Sequence, residues 1–257
     1  MGTTLISHDD RILHLEVMRA PMHGPLTWLR LGWIDMRRHW GASLAYGALI
    51  AAIGWTVLVF CSTNPYLVAA AISGFLLVGP LMSAGLCEMS RRDSLGQPAS
   101  FDESLEGFAR NSTALYEFGV ILAICAVVWF GISAVLLNNV FHLELPTIRA
   151  TMYQGFLDSA KRPQVLAYIA VGGLLAAGVF AVSVVAIPLI IDRHASAAQA
   201  IRASINVVFT NIPAMILWGG LILVLTVIGY APLLVGLVII VPLLGHATWH
   251  AYKGTIR

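Results

Sequence analysis

An all-α integral membrane fold with six transmembrane helices is what this sequence predicts, and three observations carry the prediction. Of 257 residues, 58% are apolar and only 11% are Asp, Glu, Lys or Arg, against roughly 25% charged in an ordinary soluble domain. The apolar residues gather into runs near the ~20 needed to cross ~30 Å of hydrocarbon as a helix. The cations lie almost wholly in alternate loops. A spanning segment must be helical, because lipid offers nothing for an open backbone to bond.

The runs are expected at 41–61, 66–87, 118–137, 165–191, 212–230 and 231–249, the last two joined by a tight turn at Gly229-Tyr230-Ala231-Pro232. Residues 1–24 read as a flexible cytoplasmic tail and 25–257 as the six-helix domain. Arg11, Arg19, Arg30, Arg37, Arg38, Arg91, Arg92, Arg110, Arg193, Arg202, Lys253 and Arg257 fall on one side of this arrangement; only Arg149, Lys161 and Arg162 fall on the other. The positive-inside rule then places both termini in the cytoplasm. No cleavable signal is expected, since the first apolar run begins near residue 41 without a short apolar core and cleavage site. The three cysteines, Cys61, Cys87 and Cys125, form no disulfide framework and read as packing residues. No nucleic-acid partner is expected.

Each odd-numbered run is preceded by a short amphipathic segment. In "PLTWLRLGWIDMRRHW", Leu26, Leu29, Trp33, Met36 and Trp40 recur at spacings of 3 and 4, with arginines opposite. In "SFDESLEGFARNST", Ser100 and Glu103 form a capping box ahead of Phe101, Leu105 and Phe108. In "SAAQAIRASINVVFTN", Ser196 and Gln199 repeat the box ahead of Ile201, Ile205 and Val208. Polar breakpoints follow at His39, Asn111 and Asn211. Each even-numbered run carries Pro-Leu near its cytoplasmic end, at Pro80, Pro188 and Pro242. The pattern reads as three copies of one unit: rim helix, span, span.

Aligning the units on these prolines places Ala84, Asp192 and His246 at one register position and Glu88, Ser196 and His250 at the next. Around a pseudo-symmetry axis, Asp192, His246, Glu88 and His250 would converge on the cytoplasmic rim, with Cys87 and His194 close by. His246 and His250, four apart, would share a helix face. The set supplies the residue types that hold zinc or iron, so metal or haem ligation is one reading. The plainer one is a membrane-edge anchor in which Trp249 and Tyr252 take part; a pH-sensitive histidine contact is a third. No catalytic set is read. The central stretches of the spans carry no Asp, Glu, Lys, Arg or His, which argues against mid-membrane haem and against ion-coupled carriers. The outer loop "NNVFHLELPTIRATMYQGFLDSAKRP" is expected to hold a short amphipathic helix on the bilayer.

The segments "GWIDMRRHWGASLAYG", "GPLMSAGLCEMSRRDSLGQ", "ASINVVFTNIPAMILWGG" and "PLLGHATWHAYK" resemble a family of uncharacterised bacterial six-span membrane proteins, a domain of unknown function. The resemblance runs over roughly residues 25–255. It implies the fold and a place in the bacterial inner membrane, and no catalytic residues. Some members carry a cytochrome c oxidase subunit label, which implies a respiratory-chain association. Three functions follow as expectations: an accessory or assembly partner of a membrane complex, or a homo-oligomer; a transporter or channel for a small neutral or lipid-like solute, lined by Ser43, Tyr46, Thr56, Ser73, Ser83, Ser133, Ser183 and Thr226; or a metal- or haem-binding redox protein using the cytoplasmic rim.

Overall fold

The structure is a computed structural model that describes residues 15–61, 65–136, 162–230 and 234–257. The expected outer-loop helix and the first fourteen residues lie outside the described residues. The helices in chain order are α1 (Gly24–Arg38), α2 (Trp40–Cys61), α3 (Pro65–Ser94), the short α4 (Phe101–Ser104) and α5 (Glu106–Ala109), and α6 (Ser112–Val135). They are followed by α7 (Arg162–Ser183), α8 (Ala186–Arg193), α9 (Ala197–Thr210), α10 (Ile212–Tyr230) and α11 (Leu237–Thr255). Among the described residues the one departure from helix pairing is an isolated antiparallel bridge, Val17 to Ile256.

Among the described residues four stretches are long and apolar enough to cross a membrane: Trp40–Val57, Ser112–Ser133, Leu166–Arg193 and Ile212–Tyr230. The expected second and sixth spans fall in α3 and α11. Span starts are set by local chemistry. His39, Asn111 and Asn211 each leave helical geometry, with ψ of 42°, 62° and 37°, and the helix that follows begins at the next residue. Both capping boxes form, at Ser100 with Glu103 and at Ser196 with Gln199, satisfying amides that a helix start would otherwise leave bare.

The three prolines behave differently. Pro80 and Pro242 sit inside continuous helices. Ahead of Pro188 the chain breaks at Val184 and Val185, and α8 starts afresh. A proline lacks the N–H that its i−4 carbonyl would accept and crowds that turn. The break also frees the amide of Val185, which donates to Ser204 Oγ at 3.3 Å.

At the centre stands α11, packed against α1, α2, α3, α8 and α10. Two glycines permit close approach of other helices to the backbone of α11. A Cβ on Gly47 would lie 2.0 Å from the Val238 carbonyl oxygen, and one on Gly32 would lie 2.6 Å from the Ala247 nitrogen. The core wraps around α8, where Ala186, Leu189, Ile190 and Ile191 are fully buried, together with Phe118, Trp218 and Tyr252. Trp28 and Trp218 meet edge to face at 5.8 Å.

The apolar face expected on α1 is divided, with Met36 fully buried and Leu29 packed against the core. Leu26, Trp33 and Trp40 are exposed, whereas Gly24, Trp28, Gly32, Asp35 and Met36 are buried. Gly32 and Asp35 lie toward α11, Gly32 close to Ala247 and Asp35 bonded to His250. Residues 16–18, part of the expected tail, pair along 255–257 through Met18 N–H to Thr255 O (2.9 Å) and Arg257 N–H to Glu16 O (3.1 Å). Asn211 fastens this strap by donating to Met18 O and accepting from Ala20 N–H.

Candidate functional site

A chain of buried polar groups joins α1, α2, α3 and α11. Asp35 projects from the protein-facing stripe of α1, and Ser43 lies one turn into α2. Ser90 stands on the last turns of α3, and His246 and His250 share a face of α11. Asp35 Oδ2 accepts from Ser90 Oγ at 2.7 Å and from His250 Nε2 at 2.8 Å. His246 is fully buried, its Nδ1 at 2.8 Å from Ser90 Oγ and its Nε2 at 2.9 Å from Ser43 Oγ.

Proton counting orients the chain. Ser90 has one hydroxyl hydrogen and commits it to Asp35, so toward His246 it can only accept. Nδ1 of His246 therefore carries the proton, and Nε2 accepts from Ser43. A carboxylate thus polarises a hydroxyl, which fixes an imidazole, which receives a second hydroxyl. The order resembles a nucleophile–base–orienter series, but Ser43 is fully buried. What the arrangement can do as it stands is hold four helices in register. Burial works to raise the Asp35 carboxyl, but hydrogen bonds from His250 and Ser90 outweigh it, and the group lies below its ordinary value.

The other predicted rim residues have separate settings. Glu88, fully buried, is clamped by Arg91 through two bonds of 2.7 Å and by Arg92 at 3.0 Å, with Arg110 at 3.9 Å. These bonds to Glu88 hold the Arg91 guanidinium above its ordinary value, against the effect of burial. Asp192 accepts from Tyr252 Oη at 2.7 Å. Cys87 Sγ lies 3.6 Å from the Gly245 carbonyl. His194, in left-handed geometry with φ 54°, ends α8, and the carbonyls there accept from Arg110 Nε (3.1 Å) and Asn111 Nδ2 (2.9 Å).

The structure therefore brings His246 and His250 into one network, with Glu88 and Asp192 each in another. Among the described residues no three His, Cys, Asp or Glu side chains gather as a metal-ligand group. Sequence reasoning missed Asp35 and Ser90 and gave Ser43 a different task. The available signal was the spacing Trp28, Gly32, Asp35, which places a carboxylate on the one face of α1 slim enough to touch another helix.

Several of the hydroxyls expected to line a pathway have partners within the protein. Thr56, Ser83 and Ser183 bond back to carbonyls of their own helices. Tyr46 donates to Ser104, whose hydroxyl is itself given to Phe101 O, and Ser133 pairs with Tyr168. The side chain of Ser73 lies outside the described residues. Among the described residues no buried side-chain nitrogen or oxygen lacks a partner.

Residues 67–192 match the family model described as a predicted integral membrane protein (DUF2189). That stretch, just under half of the chain, is similar to a family of uncharacterised membrane proteins, in line with the sequence resemblance. It covers α3 to α8, with Glu88 and Asp192, and stops short of the α11 histidines. No curated protein and no solved structure gives a match.

Proposed function

We propose that this integral membrane protein is a non-enzymatic accessory or assembly partner of a larger complex in the bacterial inner membrane. In this reading six spans form three units of rim helix plus span pair, and both termini are cytoplasmic. The observation that carries it is a contrast between two surfaces. The rim's polar side chains are largely committed to one another, and among the described residues no buried side-chain nitrogen or oxygen is left without a partner. The candidate spans, by contrast, bury no more than 44% of any apolar window inside the protein, which leaves broad apolar faces for lipid or for another subunit.

Supporting the three-unit reading are the breaks at His39, Asn111 and Asn211 and the paired capping boxes. The back-bonded hydroxyls weigh against a polar pathway. A rim metal site on His246, His250, Asp192 and Glu88 would require those side chains to leave their present partners.

The test is deletion of the gene, followed by haem spectra and native electrophoresis of the membranes. A loss of assembled respiratory oxidase or another defined complex, restored by the full chain, is expected. Unchanged complexes, together with uptake of a neutral solute by vesicles holding the purified protein, would overturn the reading. Stoichiometric metal or haem lost in a His246→Ala/His250→Ala variant would overturn it in favour of redox chemistry.

A further inference from the structure

A groove of about 600 Å³ opens on the lateral surface where α6 and α9 run side by side, within the roughly 300–1,000 Å³ of small-ligand sites. Its walls are apolar, with Val120 and Ile121 from α6 and Ile201 from α9, and Ala198 leaves the width. Two charges stand on it, Glu117 on α6 and Arg202 on α9. Both are exposed. Neither has a hydrogen bond or ion pair with a described residue, although every buried side-chain nitrogen and oxygen among the described residues is partnered.

The position of Glu117 is the unusual part. It lies five residues inside the candidate span Ser112–Ser133, about 7.5 Å along the helix axis, on an exposed face. A carboxylate at that level is costly unless a cation or a polar headgroup meets it. We propose that the groove binds one membrane phospholipid whose headgroup carries both a phosphate and a primary ammonium. The phosphate lies against Arg202, the ammonium against Glu117, and the first acyl carbons along Val120, Ile121 and Ile201.

Each half of the headgroup answers one feature. A guanidinium recognises phosphate oxygens through its fork of donors. A carboxylate accepts only, so it favours an ammonium with N–H donors over a trimethylated one. The apolar walls continue in the direction the lipid tails take. An ion pair between Glu117 and Arg202 alone would satisfy the charges and leave the apolar floor without a role. This inference stands apart from the accessory-partner reading and survives its failure.

The test uses full-length protein in mild detergent, given equal amounts of phosphatidylethanolamine, phosphatidylglycerol and phosphatidylcholine, with retained lipid read by native mass spectrometry. One phosphatidylethanolamine per chain is expected in preference to the other two. Arg202→Gln should lower retention of all three phospholipids roughly tenfold, the loss of one charge-assisted bond. Glu117→Gln should abolish the preference for phosphatidylethanolamine over phosphatidylcholine while leaving phosphatidylglycerol retention unchanged. Ala198→Trp should close the groove and remove retention altogether. Both charged residues are exposed, so unchanged helix content by circular dichroism is expected and checks the fold. Equal retention of the three lipids by the unaltered protein, or retention indifferent to the three variants, would overturn the proposal. So would a protein subunit protecting Glu117 and Arg202 in place of lipid.

Discussion

Asp35 and Glu88 are carboxylates buried at the same rim, 7% and 0% exposed, and they are held by opposite means. Glu88 faces guanidiniums, which keep their charge at every accessible pH. Asp35 faces an imidazole and a hydroxyl, whose contribution depends on protonation and tautomer. The first is a fixed clamp within one stretch of sequence, drawing on α3 and its neighbours. The second is a long-range tie, joining residues 35 and 250. Burying a carboxylate therefore requires a partner but does not specify which kind. The choice decides whether the partner's charge is fixed or depends on its own protonation.

Breaking the clamp should have the largest effect. Glu88→Gln leaves Arg91 buried without its counter-charge, and a loss of about 3–5 kcal/mol is expected, read as a fall in the thermal unfolding midpoint in detergent. A shift equivalent to less than about 1 kcal/mol would mean that the guanidiniums reach water. Next comes His246→Ala, which strands Ser43 and Ser90 and leaves a void between α2, α3 and α11. About 2–3 kcal/mol is expected, and His246→Asn should recover part of it by supplying one donor and one acceptor.

Asp35→Asn should cost about 1–3 kcal/mol at neutral pH and sharpens the comparison by its pH dependence. The folded-state value of Asp35 lies below the ordinary 3.8. Its contribution is therefore fully present above 3.8 and is lost as pH falls through the lowered folded value. Acid unfolding curves of the unaltered protein should carry this limb, and those of Asp35→Asn should lack it. If the two curves stay parallel down to that range, the histidine tie is not ionic. The smallest change is expected at the exposed end of the same rim, where Arg38 pairs with Asp93. Arg38→Ala should cost less than about 1 kcal/mol and lose even that in high salt.

How much of this was legible can be argued residue by residue. The helix starts at Ser112 and Ile212 follow from Asn111 and Asn211, and the capping boxes follow from Ser-x-x-Glu and Ser-x-x-Gln, because these signals act within four residues. The pairing of His246 with His250 on one face follows from helical spacing alone. The face that α1 turns inward does not. Its apolar residues read as one face of an interfacial helix, yet Met36 turns into the protein while Trp33 stays exposed, and close contact with α11 falls on Gly32 and Asp35. Nor could the rim be sorted in advance. Glu88 and Asp192 sit at the registers expected, yet arginines and Tyr252 reach them before any common ligand could.

The sequence by itself determined an apolar, helical, membrane-embedded chain and the places where its helices begin, since composition and local capping need no distant partner. Tertiary structure alone decided which polar groups meet: Asp35 with His250, His246 with Ser43 and Ser90, Asn211 with the strap at Met18 and Ala20. A buried polar atom must find a partner at about 3 Å. Which partner stands there depends on how close the backbones come, and that is set by packing across the whole bundle.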